Sequence, residues 1–199
     1  MKLFKKLVIT STLALSLFAF NNATTEASST TYTVKSGDTL WKIATSNSVS
    51  VNTLKQVNKQ TSNTIYPGQK LAIPQAISAA DKDLMARIVH AEAKGESYAG
   101  KVAVATVVLN RVDSSLFPNT IKGVIYERTS NGGYAFSPVG NGAINQAADA
   151  SAKKAVEEAI AFRGQGKGSL FFYNPAKITN KWILSREVTV VIGNHTFAK

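Results

Sequence analysis

The sequence predicts an α+β chain: a small βααβ unit, then a larger helix-rich domain that closes with a small β-hairpin. Three observations predict it. Residues 32–34 and 70–73 read as short strands and bracket two stripes of apolar residues at helical spacing. Residues 102–109 are apolar on every side, as a buried central segment must be. Residues 188–192 and 195–197 flank Gly193-Asn194, which has the chemistry of a tight hairpin turn.

Composition narrows the class. The 199 residues suit one ordinary domain plus a small one, and 44% hydrophobic content supports a packed core. The absence of cysteine excludes a disulfide framework, a thiol nucleophile and a cysteine zinc site. The two histidines, His90 and His195, form no His-Glu-x-x-His motif; each reads as a structural or surface residue, and no metal or cofactor is expected. The net charge of +11 favours polyanionic surroundings.

The leader chooses among polyanions. Lys2, Lys5 and Lys6 form a basic region, residues 7–20 form an apolar run of 14, and small residues follow. This predicts a secretory signal peptide over residues 1–27, cleaved after Ala27, with no membrane span afterwards. An exported basic protein meets bacterial wall polymer before nucleic acid, so nucleic acid is not an expected partner.

The small unit covers residues 31–74. Asp38 follows the turn Ser36-Gly37 and is placed to cap a helix bearing Leu40, Ile43 and Ala44. Ser50 is placed to cap a second, with Val51, Leu54 and Val57. Tyr66-Pro-Gly68 makes a turn into the closing strand. Residues 75–79 are a short linker.

The larger domain covers residues 80–199. Ser78-Ala-Ala-Asp81 is a capping box for a helix whose apolar stripe runs through Met85 and Ile88 to Glu92. Gly95 marks a turn, and Ser97 can cap the next helix. Residues 102–109 fit a buried strand or helix by length; the cap, the alanines and the continuation to Val112 favour the helix. Asn119 or Thr120 can cap a short helix reaching Tyr126. Residues 128–145 are rich in Gly, Asn and Ser without apolar period, which suggests a functional loop. Residues 147–163 form the last clear helix, with Gly164 as its C′ residue, and residues 170–173 are a short apolar run.

Glu92 is the residue that stands out. A carboxyl on the apolar side of a helix either pairs with a basic neighbour or is kept protonated by desolvation. The second state is what a general acid requires. Glu96 lies four residues on, but Gly95 intervenes, and Asp113, Glu127 and Asp149 have no spacing that pairs them with Glu92.

Two resemblances add to this reading. Tyr32-x-Val34-x-x-Gly37-Asp-Thr-Leu-Trp41-x-Ile43-Ala44, Leu54, Asn58 and Ile65-x-Pro67-Gly68-Gln69-x-Leu71-x-Ile73-Pro74 resemble a LysM module. The resemblance implies binding of N-acetylglucosamine-containing glycans through Gly37, Asp38, Thr39, Leu40, Asn63 and Ile65. The second resemblance rests on Ala86-Arg-Ile-Val-His-Ala-Glu-Ala-Lys-Gly-Glu96, Gly100-x-Val102-Ala-Val-Ala, Leu109-Asn-Arg-Val112, the segment 117–126, Phe136-Ser137, Tyr173-Asn-Pro-Ala-Lys177, Asn180-Lys-Trp182, Ser185-Arg186 and Ile192-Gly-x-His195-x-Phe197. These are similar to the catalytic domain of SleB-type cell-wall hydrolases, the spore-cortex-lytic enzyme family.

That resemblance implies a lysozyme-like fold and cleavage between N-acetylmuramic acid and N-acetylglucosamine in peptidoglycan. Glu92 matches the family's catalytic acid. Glu96, Phe136, Ser137, Tyr173, Asn174, Asn180 and Trp182 are expected to bind substrate. A single carboxylate suits lytic transglycosylation, in which the muramic 6-hydroxyl replaces water. Hydrolysis by a muramidase, or a non-catalytic glycan-binding wall protein, are the alternatives. The partner is the peptidoglycan strand, and the place is the cell wall or the spore envelope.

Overall fold

The computed structural model describes residues 30–178 and 181–199. The expected signal peptide and Asn180 lie outside the described residues.

The small unit is strand, helix, helix, strand. Strand β1 (Thr30–Thr33) pairs antiparallel with β2 (Lys70–Ile73), Thr30 opposite Ile73 and Thr33 opposite Lys70. Between them run α1 (Leu40–Ser46) and α2 (Val51–Val57). Val34, Leu40, Ile43, Ala44, Val49, Leu54, Leu71 and Ile73 form its core. A core this small gains from polar stapling. Asn58 supplies it: its side-chain amide donates to the carbonyls of Leu54 and Ala72 (both 2.8 Å), and its oxygen accepts from Ala72 N at 2.7 Å. Ser50 caps α2 as its position predicts. Thr39, rather than Asp38, caps α1. The Asp38 carboxylate instead accepts from Lys35 N (2.8 Å) and the Tyr32 hydroxyl (2.9 Å), closing the loop before the helix.

The larger unit is organised on α3 (Ala79–Glu92), α4 (Tyr98–Asp113) and α7 (Ala150–Ala161). Ser78 Oγ accepts from Asp81 N at 3.0 Å and donates to its carboxylate at 2.7 Å, so the predicted box starts α3. Ser97 caps α4, Thr120 caps α5 (Ile121–Ile125) and Asp149 caps α7. The last helix therefore begins at Ala150, three residues later than its apolar pattern suggests, because Asp149 takes the Ala152 amide. Segment 102–109 is helical and lies inside α4. Four valines carry little helical preference, and burial of Val104, Val107 and Val108 among α3, α5 and α7 overrides it.

The chain ends in a three-stranded antiparallel sheet of order β3-β5-β4, from β3 (Phe171–Tyr173), β4 (Val188–Ile192) and β5 (His195–Ala198). The predicted hairpin is β4–β5. The apolar run 170–173 adds β3 along the free side of β5, with Phe172 opposite Phe197. The polar end of α4 secures this sheet: Asn110 Nδ2 donates to Ser169 O at 2.9 Å, and Arg111 Nε donates to Leu170 O at 2.8 Å. The loop 128–145 carries α6 (Ser137–Gly140) and a 3-10 turn, Ala143–Asn145. Among the described residues no helix is long and apolar enough to cross a membrane.

Candidate active site

Met85, Ile88 and Val89 are fully buried on α3, and this face carries the helix's last residue, Glu92, to the edge of the core. There the half-buried carboxyl borders a hollow of about 560 Å³, lined also by Glu96, Ser137, Tyr173, Asn174 and His195. Burial pushes the Glu92 pKa up to about 7, and the nearby Arg111 guanidinium opposes the rise. The negative end of the α3 dipole also disfavours the anion. The group is thus poised between acid and base at neutral pH.

Arg111 is itself buried. Its guanidinium carbon lies 5.0 Å from the ring centroids of both Phe117 and Phe136, and 5.6 Å from that of Phe171. Burial lowers its pKa, and Glu127 and Glu92 offset that. Its Nη1 has no hydrogen-bond partner among the described residues. The cation acts on Glu92 through space from an apolar cage, which restrains the carboxyl pKa without quenching the acid in a salt bridge.

Glu96 behaves differently. Asn194 donates to it twice, from the backbone N (3.1 Å) and from Nδ2 (3.2 Å). Burial would raise its pKa; those two donors, with His195 and Lys177, outweigh burial and lower it. Its carboxylate latches the α3–α4 turn to the β4–β5 hairpin at the rim of the hollow. Gly193 is required for this latch: its φ is +58°, and a Cβ there would run into the Glu96 carboxylate.

Ser137 is exposed at the start of α6, and Tyr173 and Asn174 face the hollow from the end of β3. Trp182, half-exposed, lines a second hollow of about 760 Å³ with Arg111, Glu127, Tyr134 and Phe171. Its ring meets Phe171 edge-on at 5.3 Å, and the Arg186 guanidinium lies 4.6 Å from its centroid. Phe172 borders both hollows, so they adjoin along β3. Phe136 is not a cleft residue. It is 1% exposed and packs near Phe172 and under Arg111, so its contribution is to the core.

The hollow is also lined by residues not expected to bind substrate, among them Lys94, Phe172, Asn194 and His195. His195 is buried, its ring 5.2 Å from that of Phe172, and burial lowers its pKa against the pull of Glu96. The signal for it was available, since it stands in the matched Ile192-Gly-x-His195 stretch.

In the small unit, Thr39, Leu40 and Asn63 line a separate hollow with Trp41 and Asn52. Asp38 is occupied by its local hydrogen bonds, Ile65 packs against the core, and Gly37 (φ +83°) turns the loop while its carbonyl accepts from Lys42 Nζ at 2.9 Å.

Comparison with known proteins agrees with both halves. A LysM domain model matches residues 32–74, and a Cell Wall Hydrolase model matches residues 95–198. The spore cortex-lytic enzyme of Bacillus cereus is 43% identical over 127 residues, covering 64% of this chain and 47% of that protein. The chain thus spans less than half the length of that relative. The catalytic domain of the germination-specific lytic transglycosylase SleB from Bacillus anthracis is 42% identical and superposes with a TM-score of 0.57, covering 64% of this chain and all (100%) of that domain. The Bacillus cereus SleB catalytic domain is 43% identical, also at a TM-score of 0.57, covering 64% of this chain and 95% of that one. With more than half its length matched, the chain belongs to the cell wall hydrolase family and carries a LysM domain ahead of the hydrolase domain.

Proposed function

We propose that this protein is an exported peptidoglycan glycosidase of the lytic transglycosylase type, held on its substrate by the LysM module. The observation that carries the reading is the Glu92 carboxyl, desolvated at the end of α3 and opening into a groove of sugar-sized hollows.

The chemistry follows from one titrating group. Protonated Glu92 gives its proton to the glycosidic oxygen between N-acetylmuramic acid and N-acetylglucosamine. The bond from the muramic anomeric carbon to that oxygen breaks, and the N-acetyl oxygen supports the positive charge left on that carbon. The Glu92 carboxylate then takes the proton of the muramic 6-hydroxyl as its oxygen bonds to the anomeric carbon. The products are a 1,6-anhydro-muramic end and a free 4-hydroxyl, and Glu92 is again protonated. Glu96 does not supply a second catalytic carboxylate in this scheme, because Asn194 engages both of its oxygens. Tyr173, Asn174 and Trp182 line the groove and are assigned to hold the sugar rings, with Ser137 on the facing loop.

The test is digestion of purified vegetative peptidoglycan and of spore cortex by the wild type and Glu92→Gln, with mass analysis of the fragments. Anhydro-muramic ends from the wild type alone are the expected result. Reducing muramic ends would assign the protein to the hydrolytic muramidases, and equal digestion by Glu92→Gln would remove Glu92 from the mechanism.

A further inference from the structure

The hollow on the small unit is not made by the small unit alone. Its volume is about 490 Å³, and besides Thr39, Trp41, Asn52 and Asn63 it is lined by Phe162 and Gln165, which follow α7 in the hydrolase domain. Trp41 and Phe162 are each 43% exposed, one aromatic ring from each unit bordering the same space. The junction between the units is tied at several points. Helix α1 packs against α7. Asn52 Nδ2 donates to Arg163 O at 3.4 Å. Ile77 N donates to Ser48 O at 3.1 Å, and Lys82 Nζ donates to Ser48 Oγ at 2.7 Å. Gly164 turns the chain here with φ +78°, and a Cβ on it would press against the Asn52 amide.

The chemistry of the lining selects the occupant. It offers two aromatic rings, the side-chain amides of Asn52, Asn63 and Gln165, and no carboxylate. Its one cation, Lys55, donates to Asn63 Oδ1 at 2.9 Å. Apolar faces with neutral hydrogen-bonding groups suit an uncharged N-acetylated sugar better than an anionic polymer. Resting on the reading of the LysM module as a glycan binder, we propose that its binding site is a joint site. A strand of N-acetylglucosamine-type sugars lies between Trp41 of the module and Phe162 and Gln165 of the hydrolase domain. The strand that anchors the enzyme then contacts both units at once, and its orientation toward the Glu92 groove is fixed by the fold.

The test uses the full chain carrying Glu92→Gln, so that nothing is cut, and a neutral N-acetylglucosamine pentamer as probe. Binding is followed by calorimetry and by the side-chain amide resonances of Gln165. Phe162→Ala is expected to weaken binding about tenfold, and Phe162→Tyr to restore most of it. Gln165→Ala is expected to weaken it less, and the Gln165 amide resonance of the parent to shift on addition of sugar. Trp41→Ala reports on the module alone. If Trp41→Ala weakens binding while Phe162→Ala and Gln165→Ala bind like the parent, the joint site is overturned and the module remains a glycan binder. If the parent ignores the pentamer, or binds only an anionic wall polymer in a salt-sensitive way, the glycan reading itself falls. Unchanged melting temperature in Phe162→Ala separates lost contact from lost fold, since the ring is half-exposed.

Discussion

The hollow around Glu92 and the hollow around Trp41, both assigned to the same polymer in the proposed function, differ in their chemistry. Around Trp41 every polar group is neutral or already paired, so a sugar gains contact and nothing more. Around Glu92 the fold holds a carboxyl partly out of water, with a caged guanidinium setting how far its acidity shifts. In the proposed function, what separates a cutting site from a gripping site is the desolvated carboxyl at the end of an apolar helix face.

The sharpest way to break the contrast is Glu92→Gln, which turns the first hollow into a second gripping site. Cleavage should fall about 10²–10⁴-fold, the usual weight of a general acid, while affinity for glycan strands persists. The next largest effect is expected at Gly193. Gly193→Ala forces a side chain into a left-handed position against Glu96, and it should cost about 1–3 kcal/mol and loosen the hairpin at the cleft rim. Thermal unfolding measures the first effect, and hydrogen exchange at Asn194 and His195 measures the second.

Glu92 also makes a thermodynamic prediction. Its folded pKa of about 7 lies above its ordinary value of 4.5, so the folded protein holds this proton more tightly than the unfolded chain. Its contribution is full below about pH 4.5 and is lost as pH rises through 7. At pH 8 Glu92→Gln should therefore be more stable than the wild type by roughly 1–3 kcal/mol, and near pH 4 the difference should vanish. Denaturant titrations at the two pH values check the sign. Activity should decline above pH 7 as the acid is deprotonated. The smallest effect concerns that decline. Arg111→Met removes the cation that restrains the shift, so the alkaline limb should move upward, whereas Arg111→Lys should keep it near the wild-type position. A pH–rate profile distinguishes the charge from packing, which would lower the plateau without moving the limb.

Much of this was legible in the chain because the signals were local. Ser50, Ser78, Ser97 and Thr120 cap the helices they precede, and the stripe from Met85 to Glu92 placed the acid. Asp38 was the expected cap of α1; its carboxylate is taken by Lys35 N and the Tyr32 hydroxyl, and Thr39, one residue on, caps the helix instead. What escaped was non-local. Residues 170–173 became a strand because β5 offered a free edge, a partner more than twenty positions away. Phe136 looked like a loop aromatic and is core, since the loop folds back over Arg111. The Glu96–Asn194 latch joins residues 98 positions apart, which no spacing rule reaches.

The order of the closing sheet carries a further consequence. Its middle strand, β5, is made after both of its neighbours, and it brings His195 to the floor of the cleft and Phe197 to the core. Without β5, β3 and β4 share no partner strand, and the hollow beside Glu92 loses His195 from its lining. Loss of residues 195–198 would therefore undo two things at once, the pairing of the sheet and the side of the hollow that His195 lines.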